Sequence, residues 1–237
     1  MKHSTRRHPK VLAISGSPRK DGNTSQLLGY ALGIIEQHGA EVEYLDLIGK
    51  RIEGCISCRH CRMSPVAECS IQDDFEPIFE KVVDADGLIL GSPVYFGSVT
   101  GKLCCLLERL GMVSEGREAI DKPLNDVTWP KGEGKGPGLY KGKVGGVIVS
   151  TRRTGGNFVL AELQLWFSIL NWVVVNGSYW TVTVGGTRIA NQVRSGEMTT
   201  SDLSKDQLET DKEGVKAIKD FAHSYADVLL RLWKTRP

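Results

Sequence analysis

Long apolar runs are missing from this 237-residue sequence. No stretch reaches the roughly eighteen apolar residues of a bilayer-spanning helix, so no membrane association is expected. A strong charge of one sign is missing too. The chain has 30 Lys and Arg against 28 Asp and Glu, a net +2, which argues against a nucleic-acid partner. The basic start, Lys2 to Lys10, is short and lacks the apolar core of a secretory signal. Residues 1–9 therefore read as a flexible tail, and the chain as cytoplasmic. Histidine is scarce, with five in all, and no Ser-His-Asp, Cys-His or paired-carboxylate pattern stands out. No Gly-Lys-[Ser/Thr] closes a Walker loop, and Gly-x-Gly-x-x-Gly is absent. The six cysteines are clustered in a long chain without a secretory signal. That favours reduced thiols or metal ligation over structural disulfides. The length suits one domain with a substantial core, here residues 10–237.

What is present centres on Ser15-Gly16-Ser17-Pro18-Arg19-Lys20-Asp21-Gly22-Asn23-Thr24-Ser25. The apolar run Val11–Ile14 precedes it, and Leu28, Leu32 and Ile35 follow at helical spacing. It is a loop leaving a strand and entering a helix. Hydroxyls, an amide, an arginine and two glycines sit there with Asp21 as the sole acid. Unpaired N–H groups and the dipole at a helix start favour a bound phosphate. Ser17, Asn23 and Thr24 add donors, and Arg19 adds charge. The alternative is a plain polar turn capped by Asn23 or Thr24.

The rest of the chain alternates strand and helix. Strands are expected near 10–15, 42–47, 87–91, 144–150 and 172–176. Helices are expected near 24–38, from Asp73-Asp74 through Val83, near 100–110, 157–170 and 211–233. Residues 48–72 and 185–210 read as loops, and the Gly-, Pro-, Lys- and Glu-rich stretch 112–142 as a mobile flap. This predicts an α/β doubly wound five-stranded parallel sheet of order 2-1-3-4-5, with right-handed crossovers. Its switch point lies between strands one and three, so their exit loops flank one crevice. The second of these, Ser92–Gly97, offers backbone, Tyr95 and Phe96 to a flat ring, although both aromatics could instead pack in the core.

Ser-Gly-Ser-Pro-Arg-Lys-x-Gly-Asn-Thr after the first strand and Gly-Ser-Pro-Val-Tyr-Phe-Gly after the third resemble the NADPH-dependent FMN reductase family of flavodoxin-like proteins. The resemblance runs from Lys10 to about Leu110 and continues more loosely through Lys143–Gly156 to the last helix. It implies that Ser15, Ser17, Arg19, Asn23 and Thr24 hold the FMN phosphate. It implies that Pro93, Val94, Tyr95, Phe96 and Gly97 contact the ribityl chain and isoalloxazine. Thr151, Arg152, Gly155 and Gly156 would close over the other side of the ring, the glycines allowing close backbone approach. Family members usually dimerise. The expected helix 157–170 is apolar nearly all round and needs a cover. A homodimer or tetramer is therefore expected.

Cys55-x2-Cys58-x2-Cys61-x7-Cys69 is the most specific chemical pattern in the chain. Its front matches the bacterial ferredoxin run, but seven residues and a following Ser70 replace three residues and Cys-Pro. Among flavodoxin-like proteins the spacing resembles the iron–sulfur flavoproteins, which carry a [4Fe–4S] cluster and FMN. A four-cysteine zinc site normally uses two separated Cys-x2-Cys pairs, absent here. A thiol or disulfide switch stays open. His60 reads as solvated, and Cys104 and Cys105 as small buried apolar residues. The resemblance implies an FMN-dependent oxidoreductase or electron-transfer flavoprotein, with a small-molecule or protein donor and acceptor. NAD(P)H or a ferredoxin-like donor and a quinone or flavin acceptor fit. The alternative is a cysteine-based redox sensor or non-enzymatic carrier.

Overall fold

A computed structural model describes residues 8–119, 138–185 and 211–235. Val11–Ile14 are fully buried in β1 (Lys10–Ser15). β3 (Gly87–Pro93) and β4 (Val144–Thr151) are buried almost throughout, as central strands of a parallel sheet must be. β2 (Glu41–Asp46) forms the half-exposed edge. The order is β2-β1-β3-β4-β5 with every pair parallel, as the sequence predicts.

The fifth strand differs from expectation. Only β5 (Val173–Val174) pairs with the start of β4, while β6 (Val182–Val184) pairs with its end, through Val149–Val182 and Thr151–Val184. Between them the chain leaves the sheet at Gly177, whose missing side chain admits the backbone of Phe221. It rejoins at Thr181, whose carbonyl accepts from Val149 N at 2.9 Å and whose Oγ1 donates to the Val147 carbonyl at 2.5 Å.

Two helices cover one face, α1 (Asn23–Gln37) and the C-terminal α6 (Lys212–Lys234). Leu27, Leu28, Ala31, Ile35, Phe221 and Tyr225 form that core. The other face carries α3 (Phe75–Asp84), α4 (Gly101–Ala119) and α5 (Gly156–Ile169). α4 continues to Ala119 rather than stopping near Leu110, because Val113 and Ser114 are also buried against the core. The expected flap therefore begins inside a helix. Its residues 120–137 lie outside the described residues, and Tyr140 at its far end is fully buried, stacked on Trp172 with ring centres 5.0 Å apart. Residues 48–72 contain one helical turn, α2 (His60–Met63). Residues 1–7 of the expected tail 1–9 and residues 186–210 of the expected loop 185–210 lie outside the described residues. No helix among the described residues is long and apolar enough to cross a membrane.

Candidate functional site

The Ser15–Ser25 loop leaves β1 at the switch point. Gly22, in extended conformation, is the N-cap of α1, and no side chain caps the helix. Neither Asn23 nor Thr24 plays the capping role, so the first-turn amides face outward without a side-chain acceptor. The serines organise the loop. Ser15, buried, accepts from Ser17 N at 3.3 Å, and Ser17 Oγ accepts from Arg19 N at 3.2 Å. Arg19 is exposed, Asn23 half-buried and Thr24 buried. Gly16 ties this loop to its neighbour: its amide donates to Gly91 O at 2.8 Å, and its carbonyl accepts from Thr100 Oγ1 at 2.8 Å. A Cβ on Gly16 would come within 2.7 Å of that hydroxyl.

The loop after β3 is a tight turn in which Tyr95 and Ser98 pair amide to carbonyl in both directions, at 3.0 and 3.1 Å. Its central residues, Phe96 and Gly97, both have left-handed backbone, with φ of 51° and 87°. A bulky residue in that region carries strain of about 1–2 kcal/mol, and such strain gathers at ligand-binding turns. The Phe96 ring is fully exposed and Tyr95 about half so, which overturns core packing for both. Val94 N donates to Ser150 O at 2.9 Å, seating this turn against the end of β4. Gly155, at φ 85°, caps α5, and a Cβ there would lie 3.1 Å from Val94 Cγ1. Gly156 is just as constrained, since a Cβ would overlap Val182.

Val94, Phe96, Gly97, Thr151, Arg152, Arg153 and Thr154 line one crevice of about 440 Å³. That is the size of a small-ligand site, and the two arginines in its lining suit an anionic one. Arg153 and Thr154 share the lining too, in the same loop as the expected Thr151, Arg152, Gly155 and Gly156. Of the expected residues, Val94, Phe96, Gly97, Thr151 and Arg152 share this lining. Pro93 ends β3 behind it, and the first loop stands alongside at the end of β1.

A second concavity brings the four cysteines together. Cys55, Cys58, Cys61 and Cys69 line it with Ile56, Ile71, Arg109, Met112 and Val113. Left-handed backbone at Ser57, Arg59 and Ala67 coils the loop tightly enough to do this. One face of α4 supports it. Glu108 accepts from Cys55 N at 3.0 Å, and Arg109 Nη2 donates to Cys69 Sγ at 3.3 Å. Cys61 Sγ donates to Met112 O at 3.4 Å, and Gly116 admits the Cys61 backbone. Burial pushes the Cys61 thiol up, and Cys69, Cys55 and Cys58 push it further the same way. Cys58 is exposed, and its hydrogen bond with Ser70 Oγ at 3.1 Å, helped by the His60 amide, holds its thiol below the usual value. Among the described residues no three ligating side chains stand close enough for a single metal ion. Cys104 and Cys105 are half-buried on α4 and pack against the core.

A family model described as NADPH-dependent FMN reductase matches residues 9–187. The chain belongs to that family. This FMN reductase relative is 35% identical over 182 residues to an iron-sulfur flavoprotein of Methanocaldococcus jannaschii, covering 76% of the chain and 82% of that protein. A second iron-sulfur flavoprotein of the same organism is 30% identical over 222 residues, covering 93% and 96%. Among solved structures, RosB with a bound riboflavin-phosphate intermediate aligns with a TM-score of 0.65 at 19% identity, over 96% of this chain and 81% of that one. The fold is thus flavodoxin-like, and the chain is an FMN-dependent oxidoreductase.

In this FMN reductase family member, α5 buries Val159, Leu160, Leu163 and Phe167, yet Phe158, Leu165 and Ile169 stay largely exposed. Between them Glu162 accepts from Ser98 Oγ at 3.2 Å, and nearby Tyr179 and Trp180 are exposed as well. The apolar surplus expected from the sequence is a real surface among the described residues.

Proposed function

We propose that the chain moves electrons between a reduced donor, NAD(P)H or a ferredoxin-like protein, and an acceptor such as a quinone or flavin. FMN would sit in the crevice and a [4Fe–4S] cluster on the four cysteines. Bound FMN supplies hydride and one-electron chemistry, and a cluster supplies single-electron storage. The uncapped amides of α1, with Ser17, Arg19, Asn23 and Thr24, are the donors for a phosphate. Tyr95 and Phe96 offer flat apolar surface to a ring, Gly155 and Gly156 let backbone approach it, and Arg152 offers positive charge. On the cysteine side three observations support a multi-atom group. The donor set is four thiols, Gly116 leaves space for the loop, and the buried Arg109 Nε has no partner. Cys55, Cys58, Cys61 and Cys69 would be the residues that hold such a group. A second copy of the chain is the proposed cover for the α5 surface.

The observation that carries this reading is the convergence of Cys55, Cys58, Cys61 and Cys69 on one pocket in a chain of the FMN reductase family. Anaerobically reconstituted protein is expected to hold about four irons and four sulfides per chain with one FMN. It is also expected to oxidise NAD(P)H with a quinone or ferricyanide and to sediment as at least a dimer. Less than one iron per chain would leave the cysteine-switch reading. Exposed Cys58, with its lowered thiol, is the residue that favours that second reading. Arg19→Ala with Asn23→Ala removes two donors, each worth roughly 1.5–3 kcal/mol toward a charged acceptor. FMN affinity is expected to fall at least about a hundredfold in a fluorescence titration, with an unchanged circular dichroism spectrum. Full flavin retention would move the phosphate elsewhere.

A further inference from the structure

Arg109 occupies a position that packing alone would give to leucine. It lies on the apolar stripe of α4 with Leu103, Leu106, Leu110 and Val113, and it is 1% exposed. All four of its terminal N–H groups are committed. Nη1 donates to Asp73 Oδ2 at 2.6 Å and to Glu53 O at 3.3 Å. Nη2 donates to Cys69 Sγ at 3.3 Å and to Ile71 O at 3.3 Å. The guanidinium also lies over the Phe75 ring, 4.2 Å from its centre. Asp73 is equally buried and accepts further from the Glu53 and Phe75 amides, at 2.9 and 3.1 Å. An ion pair this deep is seldom better for stability than a well-packed apolar pair. Its bonds instead converge on the two ends of the cysteine loop and on one thiol.

We propose that Arg109 is the positioning residue of the cysteine site: it fixes Cys69 and sets the reduction potential of the iron–sulfur group held there. The inference rests on the cluster reading above and deepens it. A cation donating to a ligand sulfur stabilises the more negative, reduced state, and hydrogen bonds to sulfur are a recognised control on cluster potential. Asp73 takes Nη1 and Cys69 takes Nη2, so Asp73 orients the fork while the other nitrogen brings positive charge to the sulfur.

The test uses full-length protein reconstituted anaerobically, with iron and FMN content measured first and the cluster then followed by a mediated redox titration. Two variants are compared with wild type. Arg109→Met with Asp73→Asn removes both charges together, so neither is left buried alone. Arg109→Lys keeps the pair with Asp73 but loses the fork. The double variant is expected to shift the one-electron equilibrium about tenfold toward the oxidised state, about 59 mV lower, with FMN unchanged. Arg109→Lys should fall between. If the double variant holds no iron, Arg109→Lys alone carries the potential measurement, and a lowered value supports the assignment. Loaded variants at the wild-type potential would overturn it, leaving Arg109 as a mere brace. Wild type that takes up no iron would overturn the cluster reading as well, and that failure is read before any titration.

Discussion

Asp73→Ala is expected to lower the unfolding free energy by about 3–5 kcal/mol, because it leaves Arg109 as an uncompensated buried charge. For a chain of this size each kcal/mol moves the melting temperature by about 2–4 °C, so a fall of roughly 6–20 °C should appear in thermal denaturation. Replacing both partners, as in Arg109→Met with Asp73→Asn, should recover most of the loss. A decrease under about 1 kcal/mol for the single variant would mean that the Glu53 and Ile71 carbonyls suffice for the guanidinium. The pair also has a pH signature. Burial raises the Asp73 carboxyl, but Arg109 and the Glu53 and Phe75 amides outweigh it, so its pKa lies below the ordinary value. Its contribution is therefore complete above the unfolded value of about 4 and is lost as pH falls through the folded one. The stability gap between wild type and Asp73→Asn should shrink below about pH 4.

Gly116→Ala is the second large effect, and its two consequences have opposite signs. Ala is favoured over Gly inside a helix by about 0.8–1.0 kcal/mol, so α4 itself gains. The new Cβ, however, would overlap the Cys61 carbonyl oxygen, a backbone atom that cannot rotate aside. The cysteine loop must lift off α4, carrying Cys61 from Met112 and disturbing the arrangement of the four thiols. Iron content is expected to drop below one per chain while FMN content and the circular dichroism spectrum stay at wild-type levels. Undiminished iron would show that the loop is docked by Glu108 and Arg109 alone.

The sheet was legible because its central strands are continuous apolar runs and its order follows from strand–helix alternation. Gly87–Gly91 and Val144–Ser150 could hardly be anything else. The spacing of Cys55, Cys58, Cys61 and Cys69 was legible as a cluster of thiols, and the structure brings the four to one pocket. The divided fifth strand was not, because Val182–Val184 is too short to carry a period, and only the fold reveals that Thr181 rejoins β4. The length of α4 was not legible because the Gly-, Pro-, Lys- and Glu-rich composition of 112–142 reads as a flap, while Met112, Val113 and Gly116 continue the helix face that meets the cysteines. Arg109 did leave a trace, a charged residue at a leucine position. Its partners are 36 to 56 residues away in sequence, beyond any local pattern.

The cysteine loop also has a closed neck. Arg51 N donates to Asp74 Oδ2 at 2.7 Å, Asp74 N returns a bond to Arg51 O at 3.0 Å, and Glu53 N donates to Asp73 Oδ2. Chain that enters and leaves through adjoining backbone positions is a side branch of the topology. The route from β2 to α3 is already complete at Arg51 and Asp74, and residues 52–73 leave it as a branch whose Ile52, Cys61 and Asp73 dock against the core and α4. The strand register of β1, β2 and β3 involves none of these residues. The thiol pocket, carried by this branch and α4, and the crevice, carried by the exit turns of β3 and β4, are thus built from different segments of the chain.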